Sequence, residues 1–333
     1  MTITRRDFLK ITAVAGAAIG MGAITRSLFK LNGLCKISET HQLMGTIINF
    51  VIIAESEDMA HAAIQKTVGE MRRLIQMYDY RQADSPLGQL NANGITRHAP
   101  PELITTIKQS LHFSVLSQGA FDVTVKPVID ALRENRPDWQ KLIKLVDYRQ
   151  LSVIEDTVSL ASPGMSVTLD GIAKGSVVDG GVTILQQLGF ENVLVEAGGD
   201  MMAKGSPIGE AWRVGIAHPR TQGEYIATIS VQNQAVATSG DYMNYFSDDY
   251  STYHIIDPRS GRSPSHLASA TVIAPSVAEA DALSTTLMVL GVEDGLTLIG
   301  KFPDANALMV TKDLEIYRSN NFPRDDLSEV LYE

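Results

Sequence analysis

Cysteine is almost absent from these 333 residues: Cys35 is the only one. A lone thiol excludes an intrachain disulfide and any cysteine-based metal cluster. Positive charge is also scarce. Lys and Arg total 28 against 38 Asp and Glu, for a net charge of −10. The body of the chain is more acidic still. Residues 1–30 hold Arg5, Arg6, Lys10, Arg26 and Lys30 against Asp7 alone, which leaves −14 for the remainder. An acidic body argues against nucleic acid and against an anionic membrane surface. It does not oppose a phosphate ligand, because a metal ion and local backbone dipoles override net charge. The sequence also lacks a Walker A segment, a G-x-G-x-x-G fingerprint and a redox cysteine pair. Generic nucleotide folds and a Rossmann oxidoreductase therefore find no support.

Long apolar runs are missing from the N-terminal region too. Ile11–Ile24 is short, rich in Ala and Gly, and falls below the roughly 20 strongly apolar residues that span a bilayer. It follows Thr4-Arg5-Arg6-Asp7-Phe8-Leu9-Lys10, a twin-arginine pattern. Residues 1–30 therefore read as an export signal for the twin-arginine route, which places the mature chain in the periplasm or on the outer face of the cytoplasmic membrane. Residues 31–43 read as a linker. Asn32-Gly33-Leu34 before Cys35 is a poor lipidation site, which wants a small residue next to the cysteine. Residues 44–333 form the body, long enough for one large domain or two intimate ones.

Within that body the hydrophobic period alternates between helix and strand. Helices are expected at 56–78 with Ser56 as cap, at 101–118, at 171–188 and at 276–290. Strands are expected at 45–53, in two short runs between 150 and 162, at 192–196, at 212–217, in further short runs to about 274, and at 306–310. Residues 79–100 read as a polar loop. No strict βαβ repeat is present, so the expected class is α+β.

Chemistry-bearing residues cluster in a few segments. Asp281 and Thr285 stand four apart in VAEADALSTTLMVLG and so project from one helix face. A carboxylate paired with a hydroxyl suits a hard cation such as Mg²⁺. Glycine-rich stretches recur at GIAKGSVVDGG, VEAGGDMMAKG and AVATSGDYMNYF, where backbone can approach a phosphate closely. In the first, Lys174 opens a helix whose free N–H groups favour an anion. The plainer alternative is a glycine-eased turn with a solvated lysine. Ala197-Gly198-Gly199-Asp200 and Thr238-Ser239-Gly240-Asp241 are equally readable as tight turns. His254, three residues before Asp257, is a candidate acid or base. Phe121 is a candidate stacking ring, or else a core residue.

Together these segments resemble the FAD:protein FMN transferase family, the ApbE or thiamine-biosynthesis-lipoprotein-like family. The matching blocks are Met44-Gly45-Thr46, Asp84-Ser85 with Leu90-Asn91, GAFDVTVKP, LDGIAKGSVVD, LVEAGGDMMAKG, WRVGIAHP, AVATSGDY, HIIDPRSG and ADALSTTLMVLG. They occur in the family's order across roughly residues 44–310. The resemblance implies an ApbE-like, T-fold-related α+β architecture. It implies Mg²⁺-dependent cleavage of FAD, transfer of FMN to a threonine or serine hydroxyl of a target protein as a phosphoester, and release of AMP. It puts the metal on Asp281, Thr285 and the backbone oxygen of Ala173. It puts flavin or phosphate contacts at Met44, Tyr80, Ala120, Phe121, Asp122, Asp170, Lys174, Ser176, His254, Ile255 and Ile256, with His254 and Asp281 carrying catalysis. The implied acceptor carries a Ser/Thr-Gly-Ala-Thr/Ser site, as in membrane electron-transfer subunits.

Two departures from the family pattern stand out. Thr168-Leu169-Asp170-Gly171 replaces a common Asp-Leu-Gly-Gly, and the loop from Tyr80 to Ser85 is one residue longer than usual. The twin-arginine leader resembles a subgroup serving respiratory maturation. Two rival functions share the same residues: an FAD pyrophosphatase in which water replaces the acceptor, and a non-catalytic periplasmic flavin-binding accessory.

Overall fold

The computed structural model describes residues 25–31, 33–207 and 209–323. Residues 1–24 of the expected export segment lie outside them. Its last residues, expected to belong to the signal, are instead part of strand β1 (Thr25–Leu31), paired with the strand that follows. The architecture is α+β, as the mixed periodicity requires. Its frame is a nine-stranded antiparallel sheet in the order β1-β2-β3-β7-β8-β11-β12-β13-β14. These strands are β1 (Thr25–Leu31), β2 (Leu34–Leu43), β3 (Thr46–Ala54), β7 (Val193–Ala197), β8 (Asp200–Lys204), β11 (Gln234–Gly240), β12 (Leu267–Ala274), β13 (Asn306–Thr311) and β14 (Ile316–Arg318). A three-stranded sheet is made of β4 (Ile95–Thr96), β5 (Leu151–Ile154) and β6 (Thr157–Leu160), and a hairpin of β9 (Trp212–Ala217) and β10 (Tyr225–Val231).

The supposed linker is a correction. Residues 34–43 form β2, which alternates exposed and buried positions and pairs along its whole length with β3. Its period-two pattern is diluted by Lys36, Glu39 and His41, which is why it reads as polar linker. A second correction concerns the polar loop at 79–100. It contains helix α2 (Pro86–Asn93), capped by Ser85 and stopped by Gly94 in the left-handed conformation. One helical turn more than a loop hides easily in eight residues with only three buried positions.

Both faces of the large sheet are covered. One carries α1 (Glu57–Tyr78), α5 (Ala173–Gln187) and α6 (Val277–Ile299), which form the main core with Ile48, Phe50, Val195, Ala237 and Val272. The other carries the β9–β10 hairpin. There Trp212, Val214, Ile216, Ile229 and Val231 bury against Val51, Leu194 and Val236. Helices α3 (Pro101–Leu116) and α4 (Lys126–Arg133) flank the helical face. Helix α6 is long and apolar enough to cross a membrane. It is instead the core helix, almost wholly buried over its first four turns. Gly291 interrupts it with φ 77°, where the expected helix ended, and the helix then resumes to Ile299.

Candidate active site

The site forms where the first turns of α5 and α6 meet. Asp281, one turn into α6 and 5 % exposed, accepts the N–H of Gly175 at 3.1 Å. Thr285 lies one turn further, half-buried, with its hydroxyl 3.3 Å from that of Ser239 on β11. A Cβ placed on Gly171 would lie 3.3 Å from Thr285 Oγ1 and 3.1 Å from the Phe121 ring. Glycine at 171 thus lets the turn entering α5 press against both. Ala173 is the first residue of α5 and stands between Gly171 and Gly175. The structure therefore gathers the three candidate metal ligands at one helix junction.

Charge at this junction is unbalanced. Asp200, 1 % exposed at the start of β8, lies with Lys174 Nζ 3.0 Å from its Oδ2. That pair is a close charge contact without hydrogen-bond alignment, so Oδ2 lacks a properly directed donor. Lys174 also donates to the Gly198 carbonyl at 3.3 Å. Burial, then the neighbouring Asp200, push the Asp281 carboxyl well above the usual range, against the pull of Lys174 and the Gly175 amide. Burial likewise raises Asp200, and it raises Glu196, whose oxygens accept from Gly199 N and Asn49. For Lys174, burial alone would lower the ammonium, but Asp200 and Asp281 outweigh it and the net direction is upward. One lysine thus serves several buried carboxylates.

His254 faces the same region, in electrostatic range of Asp170, Lys174 and Arg133. Its Nδ1 lies 3.3 Å from the Asn244 carbonyl. A carbonyl only accepts, so this contact favours a proton on Nδ1 and leaves Nε2 with its lone pair. Burial lowers the imidazole's affinity for a second proton. Tyr80 lies in electrostatic range of Arg133 and carries the Lys126 ammonium 4.2 Å from its ring centre. Asp170 is exposed and within range of Arg133, His254 and Asp281. Met44 and Gly45 form the two-residue turn between β2 and β3, both at positive φ, 53° and 70°. A methionine in that conformation is strained, and such strain concentrates at functional positions.

Other expected contacts are differently placed. Both Asp122 oxygens are committed within the protein, Oδ1 to Thr124 and Oδ2 to the Tyr148 amide, all at 2.6–2.8 Å. Its carboxylate organises the turn after Ala120 and Phe121. Ile255 and Ile256 are buried at 5 % and 4 % and pack into two different apolar clusters. Ser176 points elsewhere. Its hydroxyl returns to the Ile172 carbonyl, and it lines a cavity of about 620 Å³ with Tyr78, Thr106, Asp179 and Ser276. Asp281, Lys174 and His254 do not line that cavity. The chemistry lies at the helix junction, in keeping with the convergent charged groups there. Sequence reasoning missed Arg133 and Asn244, which come from separate elements with no shared spacing, and saw Ser239 only as part of a tight turn. Asp200 was visible only as part of a turn.

A divalent cation fits this donor set. Among the described residues no three His, Cys, Asp or Glu side chains converge as a closed metal cage. One carboxylate, one hydroxyl and a backbone oxygen leave positions for phosphate oxygens and water, as Mg²⁺ prefers. The excess of buried carboxylates is the environment a cation would relieve.

Comparison with known proteins identifies the family. Residues 44–309 match the model of the ApbE family, and residues 2–22 match that of the TAT (twin-arginine translocation) pathway signal sequence. The chain is 34 % identical to an FAD:protein FMN transferase of Haemophilus influenzae, covering 78 % of this chain and 81 % of that protein. It is 33 % identical to one of Vibrio cholerae, covering 89 % and 96 %. Among solved structures, the ApbE protein of Thermotoga maritima superposes with a TM-score of 0.79 at 28 % identity, covering 87 % of this chain and 100 % of that one. The flavin transferase ApbE of Vibrio cholerae superposes with a TM-score of 0.74 at 27 % identity, covering 90 % and 99 %. With a family match over residues 44–309 and a relative 34 % identical over most of both chains, the chain belongs to the ApbE family.

Proposed function

We propose that this flavin transferase uses Mg²⁺ to move FMN from FAD onto a threonine or serine hydroxyl of an acceptor protein, releasing AMP. The observation that carries the reading is the meeting of Asp281 and Thr285 with the first turn of α5, beside a His254 whose Nε2 is left free. Asp281, Thr285 and the Ala173 carbonyl would hold the cation. When bound, Mg²⁺ supplies Lewis-acid polarisation of the pyrophosphate and offsets the charge of the leaving phosphate.

The protein's own groups do the rest. Lys174 and the positive end of the α5 dipole favour the pyrophosphate anion. Tyr80 and the strained Met44 turn supply surface for the flavin-bearing half, while Phe121, 4 % exposed, packs in the core beneath the Gly171 turn. His254 Nε2 accepts the acceptor's hydroxyl proton. The hydroxyl oxygen forms a bond to the FMN-side phosphorus, the bridging P–O bond breaks, and the electron pair leaves with AMP. The acceptor we infer carries a Ser/Thr-Gly-Ala-Thr/Ser site on a membrane electron-transfer subunit. The twin-arginine signal supports export, and we infer a periplasmic site of action.

The test is incubation with FAD and Mg²⁺, with and without a peptide bearing that acceptor site. The expected result is a peptide heavier by one FMN and stoichiometric AMP. AMP and free FMN regardless of peptide would instead mark an FAD pyrophosphatase. FAD binding without AMP release would mark a non-catalytic accessory.

A further inference from the structure

At the α5–α6 junction each helix holds the other's first turn. Asp179, in the second turn of α5, accepts the N–H groups of Val277 and Ala278 at 2.9 Å, one on each oxygen. Asp281 of α6 accepts the Gly175 N–H of α5 in return. The approach is tight: a Cβ on Gly175 would sit 2.5 Å from the Val277 carbonyl oxygen and 2.6 Å from the Ala278 nitrogen. Helix α6 already has an ordinary cap, since Ser276 Oγ accepts from Glu279 N and its carbonyl from Ala280 N. That cap leaves the Val277 and Ala278 amides over, and the Asp179 carboxylate takes both from the neighbouring helix. Burial pushes that carboxyl up to about 6, so the charge is kept against a desolvation penalty. Because this acceptor comes from α5 and not from α6 itself, it joins the two helix starts as well as capping one of them.

We propose that Asp179 is a positioning residue for the transfer reaction. By tying the start of α6 to α5, it fixes the Asp281 carboxylate against the α5 turn where cation and pyrophosphate bind. This rests on the Mg²⁺ reading above. Groups that hold and orient metal ligands commonly alter metal affinity roughly 10- to 100-fold when replaced. The Asp179 carboxylate acts at that remove, through backbone and helix rather than on the ion.

The test compares wild type, Asp179→Asn, Asp179→Ala and Asp281→Asn. Mg²⁺ alone is titrated into each protein by calorimetry, and rates are measured at varied Mg²⁺ and varied FAD. Asp179→Asn keeps one acceptor oxygen, so its Mg²⁺ affinity falls by roughly 10-fold, and that of Asp179→Ala by up to about 100-fold. The KM for FAD stays put, raised Mg²⁺ restores part of the rate, and the Tm of Asp179→Asn is unchanged or higher. Wild-type Mg²⁺ affinity in both Asp179 variants, with Asp281→Asn impaired, overturns the positioning role while leaving the cation reading intact. A joint fall of Tm, FAD affinity and rate at unchanged Mg²⁺ affinity marks a plain structural cap and also overturns it. No Mg²⁺ effect in wild type removes the cation reading, and the proposal with it.

Discussion

Two buried aspartates in this protein live under opposite rules. Asp241, fully buried at the end of β11, is held by Arg220 in a two-pronged pair at 2.7 and 2.8 Å and by Lys312 at 2.5 Å. Lys312 also donates to the Tyr250 carbonyl, and the Arg220 guanidinium lies 4.9 Å from the Tyr250 ring centre. Two cations meet one anion, in a geometry that satisfies the carboxylate on both oxygens. Asp281 has one long amide bond, a second buried carboxylate beside it, and a lysine shared with that neighbour. The first arrangement is finished without help and pins the 241–253 segment to the sheet. The second is unfinished, and its deficit has the sign a divalent cation corrects. Buried charge alone therefore does not mark a site; buried charge lacking a partner does.

The same isosteric change at the two positions breaks the comparison. Asp281→Asn should reduce flavin transfer below detection, while thermal melting stays level or rises because a destabilising buried charge has gone. A melting temperature that drops with activity would show Asp281 to be structural. His254→Asn should slow transfer by about 10²–10⁴-fold with FAD affinity retained. Equilibrium binding of FAD alongside single-turnover transfer separates the step lost from the complex kept, and an unimpaired transfer rate would remove the histidine from the chemistry. Asp241→Asn should do the reverse of Asp281→Asn. It strands Arg220 and Lys312 and costs about 3–5 kcal/mol of stability by denaturant titration. The surviving folded fraction should still bind Mg²⁺ as wild type does.

The contrast also explains what the sequence could and could not reveal. Asp281 and Thr285 were legible because both sit on one helix, where four-residue spacing fixes a shared face. Long helices such as α1 and α6 were legible for the same reason. Strand β2 was not, because polar residues interrupt its alternation and its pairing partner lies beyond a strained Met44-Gly45 turn. The partners that distinguish Asp281 from Asp241 come from α5, β8, the loop at Arg220 and the end of β13. Nothing in local spacing brings those together. Asp122 reads like a ligand contact and proves to be a turn organiser, since both roles call for the same residue after the same glycine-rich segment. Ser176 shares a block with Lys174 but faces another cavity, because two residues along a helix turn the side chain by more than half a circle.

The smallest effect, and the finest probe of the helix junction, is a pH dependence of stability. The Asp179 carboxyl stands at about 6 in the folded chain against an ordinary 3.8, with burial as the leading cause. The folded protein therefore holds this proton more tightly than the unfolded chain. Stability from this group is fully present below about pH 4 and is lost as pH rises to about 6, beyond which it changes no further. The span corresponds to at most on the order of 3 kcal/mol. Lys204 faces the group and opposes the shift, and Glu279, itself raised by burial, is coupled to it. Other carboxylates raised by burial contribute slopes of their own, but these cancel when wild type and Asp179→Asn are compared at each pH. The variant's advantage should grow between pH 4 and 6 and then hold level. An advantage that stays constant across that window would mean Asp179 is ionised throughout, with the α6 amides holding its charge as firmly as water does.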